Sequence, residues 1–373
     1  MASARSKMLH SKEGKEEERR SAAAADKEEE EAKIASFLEQ IKDLTILPSM
    51  LDIEKNAKCS NLLEGWMSSW RSMELKGIDL GDVKHYSDAE LRDFTNGYSE
   101  DNLFCRARHG RLFKARDYNN RKLAVKTLDV YSPFRLFSHL TPPRLHDVIV
   151  LLRDPLIKSH PNFVKLIGYS CERKLAFVLD LDPKTSVHEL LASDDFGWDA
   201  RMKVAMDFGR VLKLSHENLI IYGDIDAKDL IFDHQDSNAK FFDFGLHQRV
   251  KNKDEKIEVQ CVFDGFGYIG PEIYEYTERK WSMKSDVFAY GILLLNLICK
   301  KQGTDGIWIK QIKDGEIITV SDSFEVDEHT KSGIIGLAMS CANLDWTCRP
   351  DMGTVVKNLE DLIGRTKSLS SAS

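Results

Sequence analysis

Three short pieces, in a fixed order along the chain, constrain its fold more than any other feature. Leu123-Ala-Val-Lys126 is a β-rich run that ends in a lysine. Tyr222-Gly-Asp-Ile-Asp-Ala-Lys-Asp229 gathers three carboxylates and one ammonium within a single short stretch. Asp243-Phe-Gly245 begins nineteen residues after Asp224. The grain of the chain changes around them. From about residue 85 there are short β-rich runs, such as 122–126 and 176–179. After about residue 186 the sequence reads mostly helical, as around 200–215, 284–299 and 330–342. A small β-rich half followed by a larger helical half is an α+β pattern.

Composition narrows the class. The chain has 373 residues, of which 42% are hydrophobic, enough for a substantial core. Its 53 basic and 60 acidic residues leave a net charge of −7, which argues against a general nucleic-acid binder. The seven cysteines are odd in number and scattered, at 59, 105, 171, 261, 299, 341 and 348. They form no Cys-x-x-Cys or Cys/His cluster, so neither a disulfide framework nor a zinc site is expected, and a reducing, cytoplasmic setting fits best. The longest apolar run, Gly291–Cys299, is far too short for a membrane-spanning segment. The first residues lack an apolar secretion core, turn acidic early, and carry Ala2 where N-myristoylation needs glycine.

Residues 1–33 are biased toward charge, without an aromatic, and read as a disordered tail. Residues 34–85 carry two amphipathic helical patterns. The first is Ile34, Phe37, Leu38, Ile41 and Leu44, ended by Pro48; the second is Leu62, Leu63, Trp66, Met67, Trp70 and Met73. The second stripe either packs on the following domain or forms a partner surface. The end, 365–373, reads as a second disordered tail.

The three pieces, together with Gly270-Pro-Glu272 and Ser285-Asp-Val-Phe-Ala-Tyr-Gly291, match the protein-kinase signature set. Within it the chain resembles the plant receptor-like kinase/Pelle family, of the cytoplasmic type. Residues 86–103 are similar to that family's lead-in to the kinase domain. His160-Pro-Asn-Phe-Val-Lys-Leu-Ile-Gly-Tyr169 is similar to its αC–β4 region. The resemblance covers residues 86–364 and implies a two-lobed fold, with a β-rich lobe at 86–182 and a helical lobe at 183–364. It implies ATP and Mg²⁺ as the ligands to be tested. Lys126 would meet the α- and β-phosphates, with Asp147 as its acidic partner on αC. Asp180 and Leu181 would also bind ATP. Asp243 and Asp229 would be metal ligands, since a carboxylate at 229 replaces the family's asparagine and Mg²⁺ prefers hard oxygen. Asp224 would hold the catalytic-base position. Tyr222, Phe244 and Leu151 would stack as an apolar spine. Glu272 with Arg349, and Asp286, would anchor the helical lobe.

The departures from the pattern fall on the phosphate site. The glycine-rich loop reads Cys105-Arg-Ala-Arg-His-Gly110, so Cys105 and Ala107 stand where glycine allows close approach to phosphate, and Gly110 alone is kept. Gly223 removes the arginine that would pair with a phosphorylated activation loop, and Tyr268 is the sole hydroxyl-bearing residue in 246–269. Asp226 replaces a lysine that faces the transferred phosphate. A unit-charge contact at about 4 Å is worth roughly 4 kcal/mol at an effective dielectric near 20, and reversing its sign costs up to about twice that. Asp264-Gly265 replaces Gly-Thr, losing the threonine that ties the substrate platform to the catalytic aspartate. Lys228, four residues past Asp224, is a cation that could compensate.

The sequence therefore implies a catalytically impaired pseudokinase, with Asp224 vestigial, acting as an adaptor or allosteric partner. By resemblance its partners would be active receptor-like kinases or nucleotide-binding leucine-rich-repeat receptors of plant immunity, in the cytoplasm or at the plasma membrane through those partners. Two alternatives stay open: a weakly active Ser/Thr kinase using Asp224, Lys228 and Asp243, and an ATP-binding sensor without transfer.

Overall fold

The computed structural model describes residues 83–370, apart from 108–109, 129–144, 173, 224, 235, 237, 245–246, 259–266, 276–279 and 302–305. The charged tail and both amphipathic stripes expected before residue 83 lie outside the described residues, as do Asp224 and the Asp264-Gly265 pair.

The first lobe is built on one six-stranded sheet, in the order β1-β5-β6-β4-β3-β2. Its strands are β1 (Lys84–His85), β2 (Leu103–Ala107), β3 (Gly110–Arg116), β4 (Lys122–Leu128), β5 (Lys165–Cys171) and β6 (Leu175–Asp180). β1 runs parallel to β5; the other neighbours are antiparallel. Helix α1 (Asp88–Phe94) closes one face. Its start is set by a capping box, in which Ser87 accepts from Glu90 N and the Glu90 carboxylate accepts from Ser87 N at 2.9 Å. Under it Tyr86, Leu91 and Phe94 pack with Phe113, Leu123, Val125 and Val178. The two-residue period of β4 does the sorting: Leu123 and Val125 enter this core, while Ala124 and Lys126 face the opposite side. Helices α2 (Leu145–Arg153) and α3 (Pro155–Ser159) lie between β4 and β5 in the chain, the second begun by Asp154 as N-cap and Pro155 at its first position.

The second lobe opens with β7 (Pro183–Ser186) and α4 (Val187–Leu190), then α5 (Trp198–Glu217). Short strands follow: β8 (Ile220–Ile221), β9 (Leu230–Asp233), β10 (Ala239–Phe241), β11 (Gln248–Arg249) and β12 (Ile257–Glu258). The remaining elements are α6 (Glu272–Glu275), β13 (Lys280–Trp281), α7 (Met283–Cys299), α8 (Ile307–Asp314), α9 (Glu328–Cys341) and α10 (Met352–Ser370). β10-β9-β7 form one small sheet; β11 pairs with β8 and β12 with β13. Helix α7 is buried nearly end to end, with Asp286 and Asn296 among its buried residues, and is the axis of the lobe. Arg201 ties α5 to its far end. The guanidinium is fully buried and donates to the carbonyls of Leu297 and Ser193, both at 2.9 Å, and burial lowers its pKa to about 10. The mixed fold expected from the sequence is what is observed. The last helix, α10, continues through Ser370.

Candidate functional site

The site lies where β4 meets the turn-rich stretch 222–244. Lys126 and Asp243 are both buried, and the Lys126 ammonium meets Asp243 Oδ1 at 2.5 Å. The same ammonium lies 5.5 Å from the centre of the Phe242 ring. The expected partner, Asp147, is not the one observed. Asp147 is exposed on the first turn of α2 and lies beside His247, whose ring reaches the Asp147 carbonyl. The lysine is paired with Asp243 instead. Burial holds the His247 imidazole below its ordinary pKa.

Cys105 faces the same space. Its thiol is pushed up to about 12, first by burial and then by the Asp243 carboxylate, with Lys126, Glu189 and Asp229 also acting on it. It is therefore a neutral side chain projecting from the strand where the family carries glycine. Ala107 ends β2 opposite Gly110. Gly110 is kept for a backbone reason: its φ is +146°, and a Cβ there would stand 1.8 Å from the Thr127 carbonyl oxygen. Arg106 is exposed. At the other end of the cleft, Leu181 is buried and its N–H donates to the Leu179 carbonyl at 3.0 Å, while Asp180 pairs with Arg121 at 2.9 Å.

Asp226 and Asp229 are bound to each other's backbone in a reciprocal cap. The Asp226 N–H donates to Asp229 Oδ2 at 2.8 Å, and Asp226 Oδ1 accepts from Lys228 N at 2.5 Å, closing the 3₁₀ turn 227–229. Both aspartates are buried. The Lys228 side chain is exposed and bears on His188, whose pKa is lowered first by burial and then by that charge.

Below the cleft, the anchors come together. Fully buried Asp286 on α7 accepts from Tyr222 N at 3.0 Å and Gly223 N at 2.7 Å, and meets His216 Nε2 at 2.9 Å. Arg349 and Glu272 form a buried bidentate pair at 2.6 and 2.7 Å, and Arg349 also donates to the Lys284 and Asn343 carbonyls. Leu151, Tyr222 and Phe244 are all buried. The rings of Tyr222 and Phe244 are linked through Phe241, at 4.9 and 5.2 Å, and Phe163 stacks on Phe244 at 6.1 Å. Sequence reasoning gave no role to Phe241 or Phe163; the signal for the first was the Phe-Phe-Asp-Phe run, of whose aromatics only Phe244 was singled out. It also missed Trp281. Gly223 has φ +79°, and Trp281 packs 3.1 Å from where its Cβ would be, within an apolar cluster of Ile221, Val250, Ile269, Ile273 and Met283. Apolar packing thus covers the position from which the family's arginine would project.

A strand lysine against the Asp243-Phe sequence, a catalytic-loop turn hung on a helix aspartate and a Glu–Arg pair beneath it define a class of protein. Residues 108–359 match the protein kinase domain family, and the chain belongs to it. In sequence the domain is similar to receptor-like kinases of Arabidopsis thaliana. A serine/threonine-protein kinase-like protein of Arabidopsis thaliana is 27% identical over 320 residues, covering 78% of this chain and 82% of its own length. The probable serine/threonine-protein kinase PBL18 of the same plant is 33% identical over 231 residues, 57% of this chain and 59% of that one. Among solved structures, the pseudokinase domain of BIR2, titled an immune regulator of the RLK/Pelle family, superposes with a TM-score of 0.56 at 21% identity, covering 79% of this chain and 93% of that one. At that identity the likeness is one of fold.

Proposed function

We propose that this chain is a pseudokinase that works as an adaptor or allosteric partner in receptor-like kinase signalling. The observation that carries this reading is Asp226, a buried carboxylate fixed by the backbone where the family presents a lysine to the transferred phosphate. A phosphoryl-transfer site works by placing positive charge around the equatorial oxygens, and here the fixed charge has the opposite sign. BIR2, of like fold, is named a pseudokinase and an immune regulator, which supports a signalling role of that kind. The partners that fit this role by family resemblance are active receptor-like kinases or nucleotide-binding leucine-rich-repeat receptors, met in the cytoplasm or at the plasma membrane. Among the described residues no helix is long and apolar enough to cross a membrane.

A second reading, ATP binding without transfer, is favoured by the survival of Lys126 and Asp243 in one buried cleft. The donor chemistry suits Mg²⁺, with Asp243 and Asp229 as hard oxygen ligands and Lys126 for phosphate. Bound there, ATP with Mg²⁺ would supply the phosphoryl group. The chain's own residues already satisfy part of that need, since Lys126 holds Asp243 and the Asp226 N–H holds Asp229. Nucleotide must compete with these bonds, so binding is expected to be weak.

The test incubates purified protein with labelled ATP and a generic protein substrate, beside Asp224→Asn. Incorporation equal to the control is expected; incorporation well above it overturns the pseudokinase reading and favours transfer assisted by Lys228. A melting curve with ATP and Mg²⁺ or Mn²⁺ tests binding, since ligand at a hundredfold over its Kd stabilises by about 2.7 kcal/mol. A shift that survives Lys126→Ala and Asp243→Ala places the ligand elsewhere.

A further inference from the structure

We propose that Cys171 and His85 form a reactive thiol–imidazole pair at the edge of the first lobe's sheet, and that Cys171 is a site of reversible modification by small disulfides of the glutathione class. The inference is independent of the pseudokinase reading, since the pair lies on β1 and β5 and shares no residue with the cleft.

The sheet brings the two side chains together. β1 runs parallel to β5, with Lys84 opposite Gly168 and His85 opposite Tyr169. Cys171 lies two residues beyond Tyr169 on β5, so the pleat turns both to one face. The next residue of the chain holds the register, as the Tyr86 N–H donates to the Tyr169 carbonyl at 2.9 Å. The His85 ring meets the Tyr169 ring edge-on, with centroids 5.2 Å apart and planes at 70°. Its Nε2 lies 3.6 Å from Cys171 Sγ, within hydrogen-bond reach for sulfur. His85 is exposed and Cys171 half-buried, so a reagent in water can reach the sulfur.

The titratable groups around the pair come from three elements and the turn after β5. Lys84, on β1, lies 3.7 Å from Glu90 of α1. Glu90 is held below its ordinary pKa first by the Ser87 N–H and in smaller part by Lys84 and His85. Burial first, and then Cys171, raises the Tyr169 phenol. Glu172 accepts from the Asp88 N–H at 2.8 Å, and the Asp88 carboxylate accepts from the Tyr98 hydroxyl at 3.3 Å.

Among the described residues Cys171 is the one thiol in contact with an imidazole. Burial pushes Cys105, Cys299 and Cys341 up to about 12. Cys348 is exposed, but its thiol donates to the Asp345 carboxylate at 3.6 Å, a neighbour with the same sign as a thiolate. At Cys171 the imidazole accepts the thiol proton, and the imidazolium so formed stays beside the thiolate. The thiolate attacks one sulfur of the disulfide. A bond forms between that sulfur and Cys171, the reagent's own S–S bond breaks, and the departing thiolate takes the proton from His85. The Cys171 sulfur is oxidised and the departing sulfur reduced, so no further oxidant enters. A second small thiol reverses the exchange.

The test exposes the full chain to oxidised glutathione near pH 7, stops the reaction with acid and locates the adducts by peptide mapping. Cys171 should be modified about threefold faster than Cys348 or more. Each unit by which a thiol's pKa falls toward the ambient pH multiplies its thiolate about tenfold and costs about threefold in nucleophilicity. Dithiothreitol should remove the adduct. His85→Asn should slow Cys171 and move its rate–pH profile to higher pH, while Cys348 in the same sample keeps its rate. Cys171 no faster than Cys348 in the parent overturns the proposal, and so does a His85→Asn profile that superposes on the parent's. Should His85→Asn fail to fold, the comparison of the two thiols in the parent still decides. Phosphoryl transfer by the parent would sink the pseudokinase reading and leave this result standing, so the two failures are distinguishable.

Discussion

The floor of the helical lobe and the phosphate end of the cleft are built from the same kinds of residue and have fared differently. On the floor, Asp286 and the Glu272–Arg349 pair are buried and bind distant segments of the helical lobe to one another. In the cleft, Cys105, Gly223 and Asp226 depart from the pattern, and each is packed or bonded into the fold in its new form. A buried anchor is held in place by what its loss would do to folding. A residue that serves a ligand answers only to that ligand. Here the two charged groups of the cleft, Lys126 and Asp243, are bonded to each other.

That contrast can be broken most directly at the floor. Arg349→Ala leaves the Glu272 carboxylate buried without its cation, and should cost about 3–5 kcal/mol in a urea denaturation. A loss under about 1 kcal/mol, the level of an exposed pair, would show that the anchor is not what holds the lobe. The next effect tests the cleft side. Gly223→Arg restores the family's residue, yet the position has φ +79° and Trp281 against it. The left-handed backbone alone should cost about 1–2 kcal/mol, read as a lower melting temperature. Unchanged stability would mean that the apolar cluster leaves room and that the loss is reversible.

The smallest effect is on reactivity, without change in stability. The Cys105 thiol, pushed up to about 12, is protonated at pH 8, whereas Cys348 is exposed. Peptide mapping after iodoacetamide at pH 8 should show Cys348 alkylated well before Cys105, with Cys105 gaining only as the pH is raised, since thiolate is the nucleophile. Equal rates would show a cleft more open than the buried Lys126–Asp243 pair implies.

The chain's own letters determined a good deal. The order of Leu-Ala-Val-Lys126, the 222–229 stretch and Asp243-Phe-Gly245, with Glu272, Asp286 and Arg349 beyond, was enough for the family and the two-lobed fold, because the order and spacing of these pieces are themselves written in the chain. The alternation that puts Lys126 on the opposite face from Leu123 and Val125 is likewise local, set by the pleat. What the tertiary structure decided was choice of partner. Whether Lys126 meets Asp147 or Asp243 depends on where α2 lies against β4, and spacing cannot state a distance between elements that are set by packing. The same holds for Trp281 against Gly223, for Phe241 between Tyr222 and Phe244, and for the His85 ring beside Cys171. Each joins segments that are apart in sequence. A buried polar group must find a partner within hydrogen-bond reach, and only the folded chain determines which groups are there.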